Sequence, residues 1–284
     1  MSQNYIIIPR IEVLGANAQS AWWVVSGPSP LAYLGLVRNI AIRLGMKDSH
    51  KIKIAIIHHD IEYRGEYFPA DNLFRAPDFY PAQFKGASLT SSKDGPHRSK
   101  DYAAGSLSMG LQPTALCNIK ASLVIEGMDS VSNEDIAKQL SICRLAGGQI
   151  HKFGKLASVE YHQVFSRVSS GFFLKDQSQL LEGSEPSQLI PKFMEILRPK
   201  FDENNKKIKN EQWLSPMSLG YIPISEPTYK TNARLDLPHA YAEPLVGLIE
   251  YLPKGKMQPD DLQNLFWGYR QRGKALVVDQ FSSD

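Results

Sequence analysis

Residues 26–45 read SGPSPLAYLGLVRNIAIRLG, and this stretch decides the fold. Ser29 is a good N-cap, and Pro30 falls at the first helical position, where its missing N–H costs nothing. Leu31, Leu34, Val37, Ile40, Ala41 and Leu44 then recur at helical spacing until Gly45 closes the helix. Upstream, Tyr5 to Val13 is isoleucine-rich and predicts a strand, with Pro9 marking an edge or a bulge. Downstream, Lys51 to His59 predicts a second strand with Ile52, Ile54 and Ile56 on one face. Strand, loop, helix, strand is how a split βαβ unit of the ferredoxin-like type begins. A dinucleotide-binding half opens the same way but needs a glycine fingerprint after its first strand, and Gly15 stands alone.

Periodicity is lost from Phe68 to Pro113, which is rich in Pro, Gly and Ser yet keeps Phe74, Phe79, Tyr80, Phe84 and Tyr102. So long a stretch inside a compact fold is usually a functional loop or disorder. The aromatic residues favour an arm or hairpin that orders against a partner. Cys117 to Glu126 alternates as a strand. Ser132 caps a helix expected from about Asn133 to Arg144, and Gly147-Gly148 form a tight turn entering the next strand. Pro186 to Leu197 reads as helix, Lys200 to Glu211 as a charged excursion, and Trp213 to Ile224 as broken strand. Asp260 to Arg270 reads as a helix with Leu262, Leu265, Phe266 and Tyr269 on its apolar face, and Lys274 to Val278 as a last strand. This divides the chain into residues 1–150, a core with an arm at about 68–113, and residues 151–284, the rest of the core with a variable lobe and a C-terminal helix and strand.

A chain of 284 residues, 43% hydrophobic, has enough apolar mass for a sizeable core, which argues against wholesale disorder. Its net charge is only +3, less basic than a free-standing nucleic-acid binder usually is. A subunit that shares its ligand with neighbours can keep its positive charge local. Cys117 and Cys143 sit in apolar surroundings and read as buried thiols in a reducing compartment. The apolar run Tyr5 to Ile8 stops at Pro9 with no basic residues before it, so neither a leader nor a membrane span is expected, and the chain reads as cytoplasmic.

A catalytic or metal centre is hard to assemble. His58 and His59 point to opposite faces of a strand, and His58 with Asp60, on one face, supplies only two ligands. Candidate general bases for RNA cleavage are His58, His97 and His151, none with a visible partner. No metal and no cofactor are therefore expected. Lys85, Lys93, Arg98 and Lys100 are interleaved with small and hydroxyl residues, a pattern that reaches phosphates, and Tyr102 can stack on an unpaired base. The same residues also suit a solvated loop. Lys206, Lys207 and Lys209 form a denser basic cluster, diluted by Asp202, Glu203 and Glu211. Arg144 stands at a helix-to-strand handover beside Gly147 and Gly148, placed either to clamp a phosphate or to close the helix end. Trp22 and Trp23 lie in the loop before the Pro30 helix, whose N-terminus is an anion seat.

Four stretches then carry a resemblance. They are Pro9-Arg10 with Ala16-Asn17-Ala18 and Gly27-Pro28-Ser29-Pro30; Arg144-Leu145-Ala146-Gly147-Gly148; Gly220-Tyr221 with Ile222-Pro223-Ile224; and Ala233-Arg234 through Pro244 to Leu252 and on to Trp267. In this order they resemble the handle-binding, second subunit of the type I-F CRISPR surveillance (Csy) complex. The resemblance implies an α+β fold with a modified RNA-recognition or ferredoxin-like (RAMP-type) core and an extended thumb. It implies a non-catalytic antiviral-defence subunit that holds the 5′ handle of CRISPR RNA and caps one end of the interference complex. Its neighbours would be the backbone subunits and either a large subunit or target DNA directly. Carried onto this chain, it marks Asn17, Ser26, Arg144, Gly147 and Gly148 beside the arm residues Lys85, Lys93, Arg98, Lys100 and Tyr102 as RNA-binding. In a reduced complex lacking a large subunit, Lys206, Lys207 and Lys209 would face DNA. A backbone-filament subunit covering the spacer and a guide-processing ribonuclease are the alternatives. The match is poorest over residues 151–230.

Overall fold

The first strand, β1 (Asn4–Asn17), is packed on both sides because its isoleucines alternate between two apolar layers. The computed structural model describes residues 4–21, 24–68, 78–81, 86–87, 111–112, 115–183, 185–198, 212–229 and 236–280. Helix α1 (Pro30–Arg43) starts at the Ser29 cap and ends where Gly45 turns left-handed at φ +78°. Strand β2 (Lys53–Tyr63) follows, then β3 (Gly65–Phe68) paired with β4 (Asp78–Pro81), and β5 (Gly86–Ala87) paired with β6 (Leu111–Gln112). Next come β7 (Leu116–Glu126), α2 (Asn133–Leu140) capped by Ser132, and the hairpin β8 (Arg144–Leu145) to β9 (Gly148–Lys152).

These elements form an antiparallel sheet in the order β9–β1–β7–β2. One face, with Ile8, Ile11, Ile54, Ile56, Leu123 and Ile125, packs against α1 through Tyr33, Leu34, Val37 and Ile40 and against α2 through Ile136 and Leu140. Each such isoleucine removed from water contributes roughly 1.5–3 kcal/mol. The element order and strand order are consistent with a ferredoxin-like α+β core.

The second half of the chain extends this sheet. Strand β10 (Ala157–Glu160) pairs with β1, and α3 (Tyr161–Arg167) covers the opposite face with Val164. Then come β11 (Phe172–Asp176), α4 (Leu189–Leu197), β12 (Leu214–Pro223), β13 (Ala242–Pro253), β14 (Trp267–Arg272) and β15 (Ala275–Gln280). From β2 the pairings run β14–β15–β12–β13–β11, and β11 returns to β2 through Phe172 opposite His58 and Phe173 opposite Ile57, closing a ring. Trp267 fills this junction, fully buried, with its indole N–H donating to the Leu174 carbonyl at 3.0 Å. Cys117 and Cys143 are free and buried, as expected.

Three readings need correction. The helix expected over Asp260–Arg270 is a short 3-10 helix, Pro259–Leu265, followed by strand β14; Trp267 is a strand residue. Leu262, Leu265 and Phe266 fit either geometry locally, and the ladder to β15 decides. Helix α2 stops at Leu140 because Arg144 and Leu145 are taken into β8. His58 and Asp60 do not share a face: a bulge separates them, burying His58 and exposing Asp60. Pro9 marks a bulge, with Arg10 at φ +50° and its N–H donating to Ser122 Oγ. Among the described residues, no helix is long and apolar enough to cross a membrane.

Candidate nucleic-acid interface

The loop before α1, the β8–β9 turn and the second half of the sheet meet around one cleft of about 620 Å³. That volume falls in the usual range for ligand sites, roughly 300–1,000 Å³. Ser29 makes the join: its Oγ accepts from the Leu31 N–H (3.1 Å), capping α1, and donates to the Ser218 carbonyl on β12 (2.7 Å). Ser20 Oγ in turn accepts from the Ser218 N–H at 3.2 Å.

The opposite wall is the β8–β9 turn. Ala146 and Gly147 both have positive φ, +49° and +77°, so the hairpin closes on two left-handed residues. The two glycines have separate reasons. A Cβ on Gly148 would lie 2.7 Å from the Ala16 backbone nitrogen, so that position is pressed onto β1. A Cβ on Gly147 would meet nothing within 4 Å. Gly147 lines the cleft, and Asn17 is tied to this turn by its N–H to the Ala146 carbonyl (2.8 Å). The Asn17 amide is engaged within its own loop, accepting from the Gln19 N–H (3.0 Å) and donating to the Gln19 carbonyl (3.1 Å). Arg144 stands exposed beside the turn, donating to the Gly147 carbonyl at 3.2 Å.

Two tyrosines complete the cleft. Tyr221, 44% exposed, comes from β12, and Tyr269 from β14. The Arg38 guanidinium lies 5.3 Å from the Tyr269 ring centroid, bringing a cation behind that wall. Among the described residues, none of those lining the cleft is charged. An anionic chain laid here meets hydroxyls, aromatic faces and nearby arginines, with no carboxylate among the described lining residues.

Beneath the Ser26–Pro30 loop lies a buried polar cluster. His58 Nε2 and Tyr33 Oη are hydrogen-bonded at 2.8 Å, and the Tyr251 ring packs on the imidazole. Burial, helped by neighbouring His59, holds the His58 pKa down at about 3, and burial pushes the Tyr33 phenol well up. A Cβ on Gly27 would come within 3.3 Å of both His58 Cε1 and Tyr251 Oη, so the loop rests directly on this floor.

Of the residues singled out from sequence, Asn17 and Gly147 line the cleft, and Arg144 and Gly148 belong to its turn. Ser26 is 1% exposed, with its N–H bound to the Ala18 carbonyl; it holds the loop from behind. Lys85, Lys93, Arg98, Lys100 and Tyr102, together with Trp22, Trp23, His97, Lys206, Lys207 and Lys209, lie outside the described residues. Ser20, Ser218 and Tyr269 carry no sequence signal for this site; long-range pairing brings them here, and the spacing around Tyr269 fits a helix although it lies on β14.

One serine–histidine pair is hydrogen-bonded within the sheet. His59 Nδ1–H donates to the Ser170 carbonyl (2.8 Å), leaving Nε2 to accept from Ser122 Oγ (2.6 Å). Ser122 is 1% exposed, so no substrate reaches that hydroxyl. His151 is exposed on β9. Among the described residues, no three His, Cys, Asp or Glu side chains are grouped to hold a metal ion.

Residues 106–277 match the family described as CRISPR-associated protein (Cas_Csy2). No curated protein matches the sequence. Among solved structures, a CRISPR protein from Archaeoglobus fulgidus aligns with 99% of this chain and 100% of its own, at 8% identity and a TM-score of 0.32. That score is too low to support any structural argument. The family match spans more than half of the sequence, and the chain belongs to the Csy2 family of CRISPR-associated proteins, whose role is non-catalytic handling of CRISPR RNA within a ribonucleoprotein complex.

Proposed function

We propose that this Csy2-family chain holds the 5′ handle of a CRISPR RNA in the cleft between the β8–β9 turn and β12, one copy per guide, capping one end of the complex. The observation that carries the reading is the convergence of the Asn17 to Pro30 loop, the Arg144–Gly148 turn and Tyr221 on one aromatic-walled cleft whose described lining residues are uncharged. Unpaired bases stack on tyrosine faces, and an exposed arginine neutralises a phosphate. The core then serves as a modified RNA-recognition scaffold within residues 1–150. The arm at 68–113 is the thumb, with Lys85, Lys93, Arg98, Lys100 and Tyr102 continuing the RNA track. Residues 151–284 complete the core, and Lys206, Lys207 and Lys209 face target DNA where no large subunit intervenes. The setting is cytoplasmic, with backbone subunits as neighbours.

The test is binding of a handle-length RNA to the purified chain across a salt series. Tyr221→Ala removes a stacking platform and should weaken binding by about 1–3 kcal/mol. Arg144→Gln should lower the salt slope by about 0.7, the share of one single-strand phosphate. Unchanged affinity and slope in both variants would overturn this placement. Several copies bound along one guide would instead favour a filament-forming subunit.

A further inference from the structure

Strand β12 has two sides, and the cleft occupies one of them. Tyr221 pairs with Leu276 of β15, and both line the cleft. Gly220, one residue earlier, pairs with Val277 of β15 and Leu245 of β13, so these face the opposite way. On that reverse side Val277 and Leu245 line a second pocket of about 300 Å³. That is the small end of the usual range for ligand sites, roughly 300–1,000 Å³.

Close packing fixes the walls of this pocket. A bulge in the β12–β13 ladder sets Leu219 apart between Ser218 and Gly220. A Cβ on Gly247 would lie 2.6 Å from Leu219 Cδ1 and collide with Ser178 Oγ, so β13 has room only for glycine there. Ser178 opens a short 3-10 helix, Ser178–Leu181, and its Oγ accepts from the Leu248 N–H at 3.3 Å. Leu181 closes that helix and packs with Phe193 and Leu248. The apolar lining, Leu181, Leu219, Leu245, Val246 and Val277, is therefore held in place by the sheet and this turn.

The charged lining is mostly acidic. Asp176, Glu182 and Asp279 stand against one cation, Arg272. Asp279 is 8% exposed, and Arg270 and Arg272 both reach its Oδ2, at 3.3 and 2.7 Å. Its Oδ1 has no hydrogen-bond partner among the described residues. A buried carboxylate oxygen left in that state costs stability until a donor answers it. Asp176 accepts from the Ser178 N–H at 2.8 Å. Burial, and more weakly the neighbouring Asp279, still raise the Asp176 pKa against the Ser178 hydrogen bonds and Arg272. Glu182 is exposed at the end of the 3-10 helix, where its carbonyl accepts from Lys192 Nζ at 3.3 Å.

These features select the occupant. An acidic lining repels phosphate, and among the described residues no three ligands are grouped for a metal ion. An organic cation with an apolar stem satisfies both parts of the lining, ammonium against carboxylate and methylenes against leucine and valine. Carboxylates at two depths, buried Asp279 and exposed Glu182, suit a cation at each end of that stem.

We propose that this pocket binds a short aliphatic diamine, one ammonium on Asp176 and Asp279 and the other on Glu182. The site lies on the far side of β12 from the cleft, and it is independent of which RNA segment the cleft holds.

The test is isothermal titration calorimetry of the purified chain with putrescine, with butylamine and magnesium ion as comparisons. Putrescine should bind saturably at a single site, about tenfold more tightly than butylamine, which carries one ammonium. Asp176→Asn and Glu182→Gln should each weaken putrescine about tenfold. The first removes a buried charge and the second alters an exposed side chain, so both variants should fold, and their unfolding midpoints verify it. Absence of saturable binding, butylamine binding as tightly as putrescine, displacement by an equal concentration of magnesium ion, or unchanged affinity in both variants overturns the proposal. Tyr221→Ala should bind putrescine as the wild type does, whatever it does to RNA affinity; a loss there would put the amine in the cleft and overturn it.

Discussion

His58 offers a quantitative test of the floor beneath the cleft. In the unfolded chain an imidazole titrates near 6.5, whereas burial holds His58 at about 3 in the folded protein. Its Nε2 is bonded to Tyr33, and its Nδ1 has no partner among the described residues, so a second proton would leave a buried charged donor unanswered. Between these pKa values the unfolded state takes up the proton and the folded state does not. Stability is therefore unaffected by His58 above about pH 6.5 and is lost steadily as pH falls towards about 3. At about pH 5 the deficit is roughly 1.4 kcal/mol for each of about one and a half pH units, near 2 kcal/mol. The assay is urea unfolding of the wild-type chain and of His58→Gln at about pH 7.5 and pH 5. Other groups titrate alike in both proteins, so the wild type should lose about 2 kcal/mol more than the variant. Equal losses would mean that His58 is solvated or partnered in solution and that the buried cluster is wrong. Because the folded His58 stays neutral over this range, the loop that rests on it through Gly27 should keep its place, and RNA affinity of the folded chain should show no His58 titration there.

Gly148→Ala should cost several-fold more stability than Gly147→Ala, because the first drives a methyl into the Ala16 backbone while the second pays only left-handed strain of about 1 kcal/mol; equal unfolding midpoints would refute the close approach. Asp176→Asn should stabilise the protein at neutral pH. Burial raises the Asp176 pKa above its ordinary value, so its unfavourable contribution is absent below that value and grows as pH rises through the folded pKa, and the gain measured by unfolding should vanish in acid. Cys117, whose thiol burial pushes up to about 11, and Cys143 should resist alkylation in the native protein and react together in denaturant; rapid native labelling would contradict their burial.

What the sequence revealed was local. Ser29 before Pro30, Gly45 after Leu44, and Gly147 in a two-residue turn each announce a backbone conformation from chemistry within a few residues. The ring closure through Phe172 and His58 has no such signature, since strand partners far apart in the chain leave no mark on either sequence. Leu262, Leu265, Phe266 and Tyr269 satisfy helical spacing, so the sequence around β14 reads as helix. Only pairing with β15 shows that Trp267 starts a strand. The cleft was legible by halves for the same reason. Asn17 and Gly147 stand beside turn signals, while Ser218 and Tyr269 reach the site through the sheet.

That division explains where the site lies. The β9–β1–β7–β2 core and the β14–β15–β12–β13–β11 extension share β2, and α1 is anchored to both. The bond from Ser29 Oγ to the Ser218 carbonyl crosses between them and is buried on both ends, so water cannot replace it cheaply. A ligand in the cleft touches the β8–β9 turn on one side and Tyr221 or Tyr269 on the other, and so spans the same seam. Its binding free energy adds to the association of the two parts, whatever their intrinsic stability. Tyr221 also stands at the root of the β12–β13 hairpin, where Gly220 and Tyr221 pair with β15.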